Sequence, residues 1–196
     1  MSRLLKYYGA CKTAFFCCDI QERLTGHVAN LDNCVLVSNR FAAFHNILGT
    51  SQSLYVVAEQ YPKGLGPTAA GIKLPPDAYV FSKLQSSMLV PDVMAMIKVP
   101  EVEQIVLWGC ETHVCVLHTA AALLDLKKKV AVALDGCGSR RDGEHAAAVE
   151  LMRSWSRDGC QVSTSESILM QLTQGAADPL FKPAVEILKQ NHSIPF

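Results

Sequence analysis

A thiol, a carboxylate and an amine, each placed at the end of a short apolar run, are the side chains of this sequence best suited to chemistry. Cys115 lies in GCETHVCV, after the apolar run 105–108 and a break at Gly109, where a long Ala/Leu-rich segment with helical spacing begins. In the first turn of a helix, unpaired backbone N–H groups and the positive end of the dipole favour a thiolate. Asp19 closes the run TAFFCCDI together with Ile20, and Lys83 directly follows YVFS. Alone, an aspartate is ordinarily a cap or loop residue and a lysine a solvated surface group. Together at strand ends, the three form a set for acyl transfer: nucleophile, base and cation. A thiol with an ordinary pKa of about 8.5 is mostly protonated at neutral pH. A neighbouring aspartate can take its proton, and an ammonium holds the aspartate ionised while favouring the thiolate. The helix N-terminus adds N–H donors for the oxyanion of a tetrahedral intermediate.

Such a set needs a frame that brings distant strand ends together. Short apolar, β-rich runs at 13–20, 54–58, 79–82, 105–108, 130–134 and 161–163 predict six strands. Helical spacing predicts helices over 28–48 (stopped by Gly49), 91–97, 113–126, 142–157, 167–172 (with Ser165 as its cap) and 183–190. This alternation predicts one α/β domain over 1–196, a three-layer αβα sandwich with an open, mainly parallel six-stranded sheet of Rossmann-like type. In open parallel sheets, sites gather where strand C-termini turn into helices. The Pro/Gly-punctuated loop 59–67 is long enough to be functional.

Composition narrows the function classes. Hydrophobic residues make up 49% and charged residues 18% of 196, a globular balance with a large core. Lys plus Arg and Asp plus Glu both total 18, which argues against a dedicated nucleic-acid binder. No apolar run approaches the ~20 residues of a membrane span. The N-terminus runs directly into a core strand, so the sequence predicts no signal peptide and a cytoplasmic chain. Eight cysteines without a Cys-x-x-Cys pair read as buried thiols in a reducing compartment rather than a disulfide framework.

The pieces CCDIQ, VFSK and GCETHVCV, in this order, resemble the isochorismatase-like cysteine hydrolase superfamily, from Thr13 to about Leu172. EQYPKGLGPT and STSES resemble its isochorismatase domain-containing subgroup. The resemblance implies Cys115 as nucleophile, Asp19 as general base and Lys83 as third member of a triad. It implies a cis peptide at Cys110–Glu111, aiming the Glu111 N–H, with that of Cys115, into an oxyanion hole. It also implies a homo-oligomer acting on a small molecule. Nicotinamidases of the superfamily carry an Asp-x-His metal site after their second strand; here that loop reads EQYPKGLG, without histidine or matching aspartate. No metal and no cofactor are therefore expected, and neither nicotinamide nor isochorismate is the expected substrate.

Phe16, Gln21, Tyr61, Trp108 and His113 are candidate pocket walls, though each residue type is more often simple core or packing. His113 is a poor partner for Cys115, since positions two apart on a helix point apart. Asp135, in LDGCGSR, reads as turn chemistry rather than a second catalytic acid. The predicted function is cleavage of a small amide, ureido or related compound through a covalent Cys115 acyl-enzyme. Two alternatives remain at this level: a non-catalytic interaction protein on the same fold, and a nuclease or nucleic-acid binder.

Overall fold

The structure, a computed structural model, describes residues 4–190. Its centre is a six-stranded sheet: β1 (Lys12–Cys18), β2 (Ser53–Gln60), β3 (Tyr79–Lys83), β4 (Val102–Cys110), β5 (Lys129–Gly138) and β6 (Cys160–Ser163). The spatial order is β3-β2-β1-β4-β5-β6, and every neighbouring pair is parallel. Central strands read as continuous apolar runs because both faces of a parallel sheet are covered. Six consecutive residues of β1, Thr13 to Cys18, are buried.

The helices are α1 (Leu31–Leu48), α2 (Pro62–Leu65), α3 (Pro91–Ile97), α4 (Leu117–Asp125), α5 (Asp142–Ser154), α6 (Ser165–Thr173) and α7 (Phe181–Gln190). The chain moves from β1 to β2 in one direction along the sheet, and from β4 to β5 to β6 in the other. Right-handed crossovers then put α1 on one face and α4 and α5 on the opposite one. Consistent with this, α1 packs with α6 and α7, and α4 packs with α5. On the α1 face, Phe41 stacks on Phe15 with ring centres 5.5 Å apart and meets Trp108 at 4.7 Å. The winding reverses between β1 and β4, so the ends of these two strands open the crevice typical of such sheets.

Several expected boundaries move. The expected helix over 28–48 begins at Leu31, and the one over 142–157 gives way after Ser154 to a 3-10 turn, Trp155–Asp158. The segment from 113 onward is not one regular helix: a π-helical turn, Thr112–Val116, precedes α4. The cap of α6 is Thr164, whose hydroxyl accepts from the Ser167 N–H at 3.3 Å, not Ser165. β5 runs straight through the expected Asp-Gly turn to Gly138. Asp135 is buried there, accepting from the Ser165 N–H at 2.7 Å and hydroxyl at 2.5 Å, with the Arg40 guanidinium 3.6 Å away. It ties β5 to α1 and α6. Among the described residues, no helix is long and apolar enough to cross a membrane.

Candidate active site

Sheet order alone brings the first and fourth strand ends together. Cys18 is in register with Gly109, the last residue but one of β4. That approach demands a glycine: a Cβ on Gly109, whose φ is +129°, would lie 2.0 Å from the Cys18 carbonyl oxygen. Beyond Cys18 the chain turns out of the sheet at Asp19, whose φ of 51° is left-handed. On the other side the Cys110–Glu111 peptide is cis. The Glu111 carbonyl accepts from the Val114 N–H at 3.0 Å and from the Val116 N–H at 3.3 Å. The second of these is the wide i−5 bond of the π-turn that carries Cys115.

Lys83 enters from β3. Its ammonium nitrogen lies 2.7 Å from Asp19 Oδ2 and 3.5 Å from Cys115 Sγ. It also donates to Gln60 Oε1 at 2.8 Å and to the Ser86 and Gln85 carbonyls at 3.0 and 3.2 Å. Asp19, Lys83 and Cys115 are all buried, with 2%, 4% and 8% exposure, so their interactions are only weakly screened.

The two charged groups are each shifted upward, with opposite meanings for their charge. Burial alone would pull Lys83 down, but Cys18, Asp19 and Cys115 around it hold the amine above its ordinary value. Burial pushes the Asp19 carboxyl up; Lys83, and then the thiols of Cys115 and Cys18, oppose that rise without cancelling it. We read the pair as ionised, because Nζ is surrounded by acceptors and meets the carboxylate at charge-assisted distance. Burial also drives the Cys18 thiol well above its ordinary value, so it stays protonated beside Cys115. Asp19 Oδ1 is a buried side-chain oxygen with no hydrogen bond of standard geometry among the described residues. A carboxylate with one oxygen anchored by Lys83 and the other outside any standard hydrogen bond, near the Cys115 and Cys18 thiols, is equipped to accept a proton.

The other sequence candidates separate. Phe16 and Trp108 have 0% exposure and pack in the core; the Trp108 indole donates to Ser38 Oγ at 2.8 Å. Gln21 is also at 0% and bonds to the backbone of Gln60 and Gly66. His113 bonds through Nδ1 to Ser139 Oγ at 3.1 Å. Tyr61 does line a cavity of ≈ 390 Å³, with Pro62, Lys63, Ser82, Lys83 and Leu84. That cavity reaches Lys83, while Cys115 is not part of its lining. A larger hollow of ≈ 930 Å³ lies beside β6 and contains none of the three groups. Among the described residues, no three His, Cys, Asp or Glu side chains are grouped to hold a metal ion.

Sequence reasoning missed Gln60 and the partner of Glu111. Arg140 grips Glu111 through its backbone N–H at 2.8 Å and its guanidinium at 3.1 Å. Burial works against the Glu111 carboxylate, but these bonds outweigh it and hold the group below its ordinary range. Neither pairing has a local signal in the sequence.

A doubly wound parallel α/β sheet with a thiol, a carboxylate and an ammonium gathered at its switch point defines the class of this molecule. Residues 13–167 match the isochorismatase domain model, and the chain belongs to that family. It is 36% identical over 178 residues to isochorismatase domain-containing protein 1 of Danio rerio, covering 90% of this chain and 61% of that relative. The chain thus spans less than two thirds of that protein's length. A solved structure of a hypothetical protein from Trypanosoma cruzi is 64% identical with a TM-score of 0.97, each chain covered over 100%. A structure described as a putative MAR1 ribonuclease from Leishmania major is 42% identical with a TM-score of 0.94, again over 100% of both chains.

Proposed function

We propose that this chain is a cysteine hydrolase that cleaves a C–N bond of a small amide, ureido or related compound. The observation that carries the reading is the single ammonium of Lys83 standing 2.7 Å from Asp19 and 3.5 Å from Cys115, three residues contributed by three strand ends. Asp19 takes the Cys115 proton at Oδ1, the oxygen that Lys83 does not hold, and the thiolate sulfur bonds to the substrate carbonyl carbon. Charge on the carbonyl oxygen is met by the N–H groups of Glu111 and Cys115. The C–N bond breaks as the leaving nitrogen takes the proton from Asp19, leaving a thioester. Water then gives its proton to Asp19, its oxygen attacks the thioester carbon, and the acid leaves as the thiol is restored. Tyr61 and its neighbours at the ≈ 390 Å³ cavity supply the substrate wall. The loop Glu59-Gln60-Tyr61-Pro62-Lys63-Gly64-Leu65-Gly66 offers no imidazole ligand, and the mechanism uses protein groups alone. We take the working molecule as a homo-oligomer, supported by exposed Val80 and Leu84 on the β3 edge.

A small electrophile such as iodoacetamide is expected to label Cys115 first, and Cys115→Ala to remove that fast phase. Fast labelling at another cysteine, with Cys115 inert, sinks the reading. A second reading, RNA cleavage, is favoured by the description of the Leishmania major structure as a putative ribonuclease. The equal totals of 18 basic and 18 acidic residues speak against a broad phosphate-neutralising face. Incubating RNA with the Cys115→Ala, Asp19→Asn and Lys83→Met variants separates the two. Cleavage lost in all three replaces the amide reading, while cleavage surviving in all three lies outside this site.

A further inference from the structure

We propose that Gln60 is the positioning residue of this site, its carboxamide fixing the Lys83 ammonium between Asp19 and Cys115. The inference rests on the roles of Asp19, Lys83 and Cys115 given under the proposed function. Gln60 ends β2 in register with Lys83 on β3, which puts the two side chains on the same face of the sheet. Gln60 Oε1 accepts from Lys83 Nζ at 2.8 Å, and Gln60 Nε2 donates to the Leu84 carbonyl at 3.0 Å. These two bonds fix the amide orientation, since the reverse would set N–H donors against a cation.

Gln60 is itself held. Gln21 Oε1 accepts from the Gln60 N–H at 2.8 Å, and Gln21 Nε2 donates to the Gln60 carbonyl at 3.1 Å. The same Nε2 donates to the Gly66 carbonyl at 2.6 Å, so the clamp also ties down the loop that carries Tyr61. A chain of two carboxamides therefore runs from the turn after Asp19 to the ammonium. Lysine ends in a compact charge on a flexible four-carbon stem, and its direction has to be set by its partners. Without the Gln60 oxygen, Nζ loses one of its two shortest contacts. A wider spread of Nζ positions weakens its average attraction for charge at the thiol. The acceptor cage also assigns Lys83 a fixed role as a cation rather than a proton carrier.

The test is the pH dependence of Cys115 alkylation by iodoacetamide in the full chain, followed by mass spectrometry of the Cys115 peptide. Gln60→Leu removes the carboxamide, and Gln60→Asn keeps it but falls one methylene short of Lys83. Both are expected to move the rate profile to higher pH by about one unit, roughly a ten-fold slower reaction at neutral pH. Lys83→Met is measured in parallel and is expected to shift the profile further. If Lys83→Met moves the profile while the Gln60 variants keep the wild-type one, this inference fails and the proposed function stands. The inference fails in the same way if the Gln60 variants lose thermal stability alone. If Lys83→Met leaves the profile where it was, the underlying triad reading fails first. Should Gln60→Leu not fold, Gln60→Asn decides.

Discussion

Asp19 carries two unfavourable features at once: a left-handed backbone at φ 51° and a buried carboxyl with one oxygen unbonded. Non-glycine residues in such conformations cost about 1–3 kcal/mol and persist where the surroundings enforce them. Asparagine tolerates the same backbone as aspartate, so Asp19→Asn isolates the electrostatic part. The carboxyl is raised above its ordinary 3.8 by burial, so above that pH the native state binds more protons than the unfolded chain. The wild-type contribution is then full below 3.8 and drains away as pH rises through the folded value, at about 1.4 kcal/mol per unit of displacement. The asparagine has no such slope. Lys83 adds no slope of its own, because that ammonium stays charged throughout the acid range and its pull on the carboxylate is already part of the Asp19 shift. The Tm of Asp19→Asn relative to wild type is therefore expected to improve as pH rises from 3.8 through the folded value of the carboxyl, and then to level off. A difference that is flat or shrinks with pH contradicts the raised carboxyl.

Strand ends set the precision of the site, and Gly109 is where that precision is most exposed. A Cβ there would collide with the Cys18 backbone at 2.0 Å, so β1 and β4 could no longer approach at the switch point. Gly109→Ala is expected to destabilise by about 3 kcal/mol or more. Gly143, near the start of α5 with open space around its Cα, is expected to gain about 0.5–1 kcal/mol as alanine. Urea midpoints for the two variants check both signs, and equal tolerance would remove the steric account. Asp19, Lys83 and Cys115 could be singled out in the sequence because each follows a short apolar run with strand character, although β3 is a half-exposed edge strand. Parity was the harder problem. Trp108 turns to the α1 face, opposite the helix that follows its strand, so its nearness to Cys115 in sequence does not bring the two side chains together. Gln60 gave no signal, because a polar residue opening a loop looks alike whether it bonds an ammonium or water. Asp135 misled for the same local reason: Asp-Gly is ordinary turn chemistry, and its partners Arg40 and Ser165 are distant in sequence.

At the scale of the whole molecule, the edge beside the site is unusually apolar for a free surface. Leu84, directly after β3, is 80% exposed, with Tyr61 at 51% and Val80 at 43% nearby. Edge strands offer unpaired backbone groups, and proteins ordinarily blunt them with charge or cover them. Tyr61 and Leu84 also line the cavity that reaches Lys83. A second copy seated on this edge would bury both side chains and narrow the approach to the ammonium, which links assembly to the site. The expected solution mass by light scattering is then a multiple of 21.4 kDa. Leu84→Glu places a charge at the centre of the contact and is expected to shift the mass towards a single chain. Because Leu84 accepts from Gln60 only through its backbone carbonyl, that substitution leaves the hydrogen bond to Gln60 available. A wild-type chain that scatters as a monomer at micromolar concentration rejects the assembly. An oligomer unmoved by Leu84→Glu places its interface on another face, and the cavity beside Lys83 is then complete within one chain.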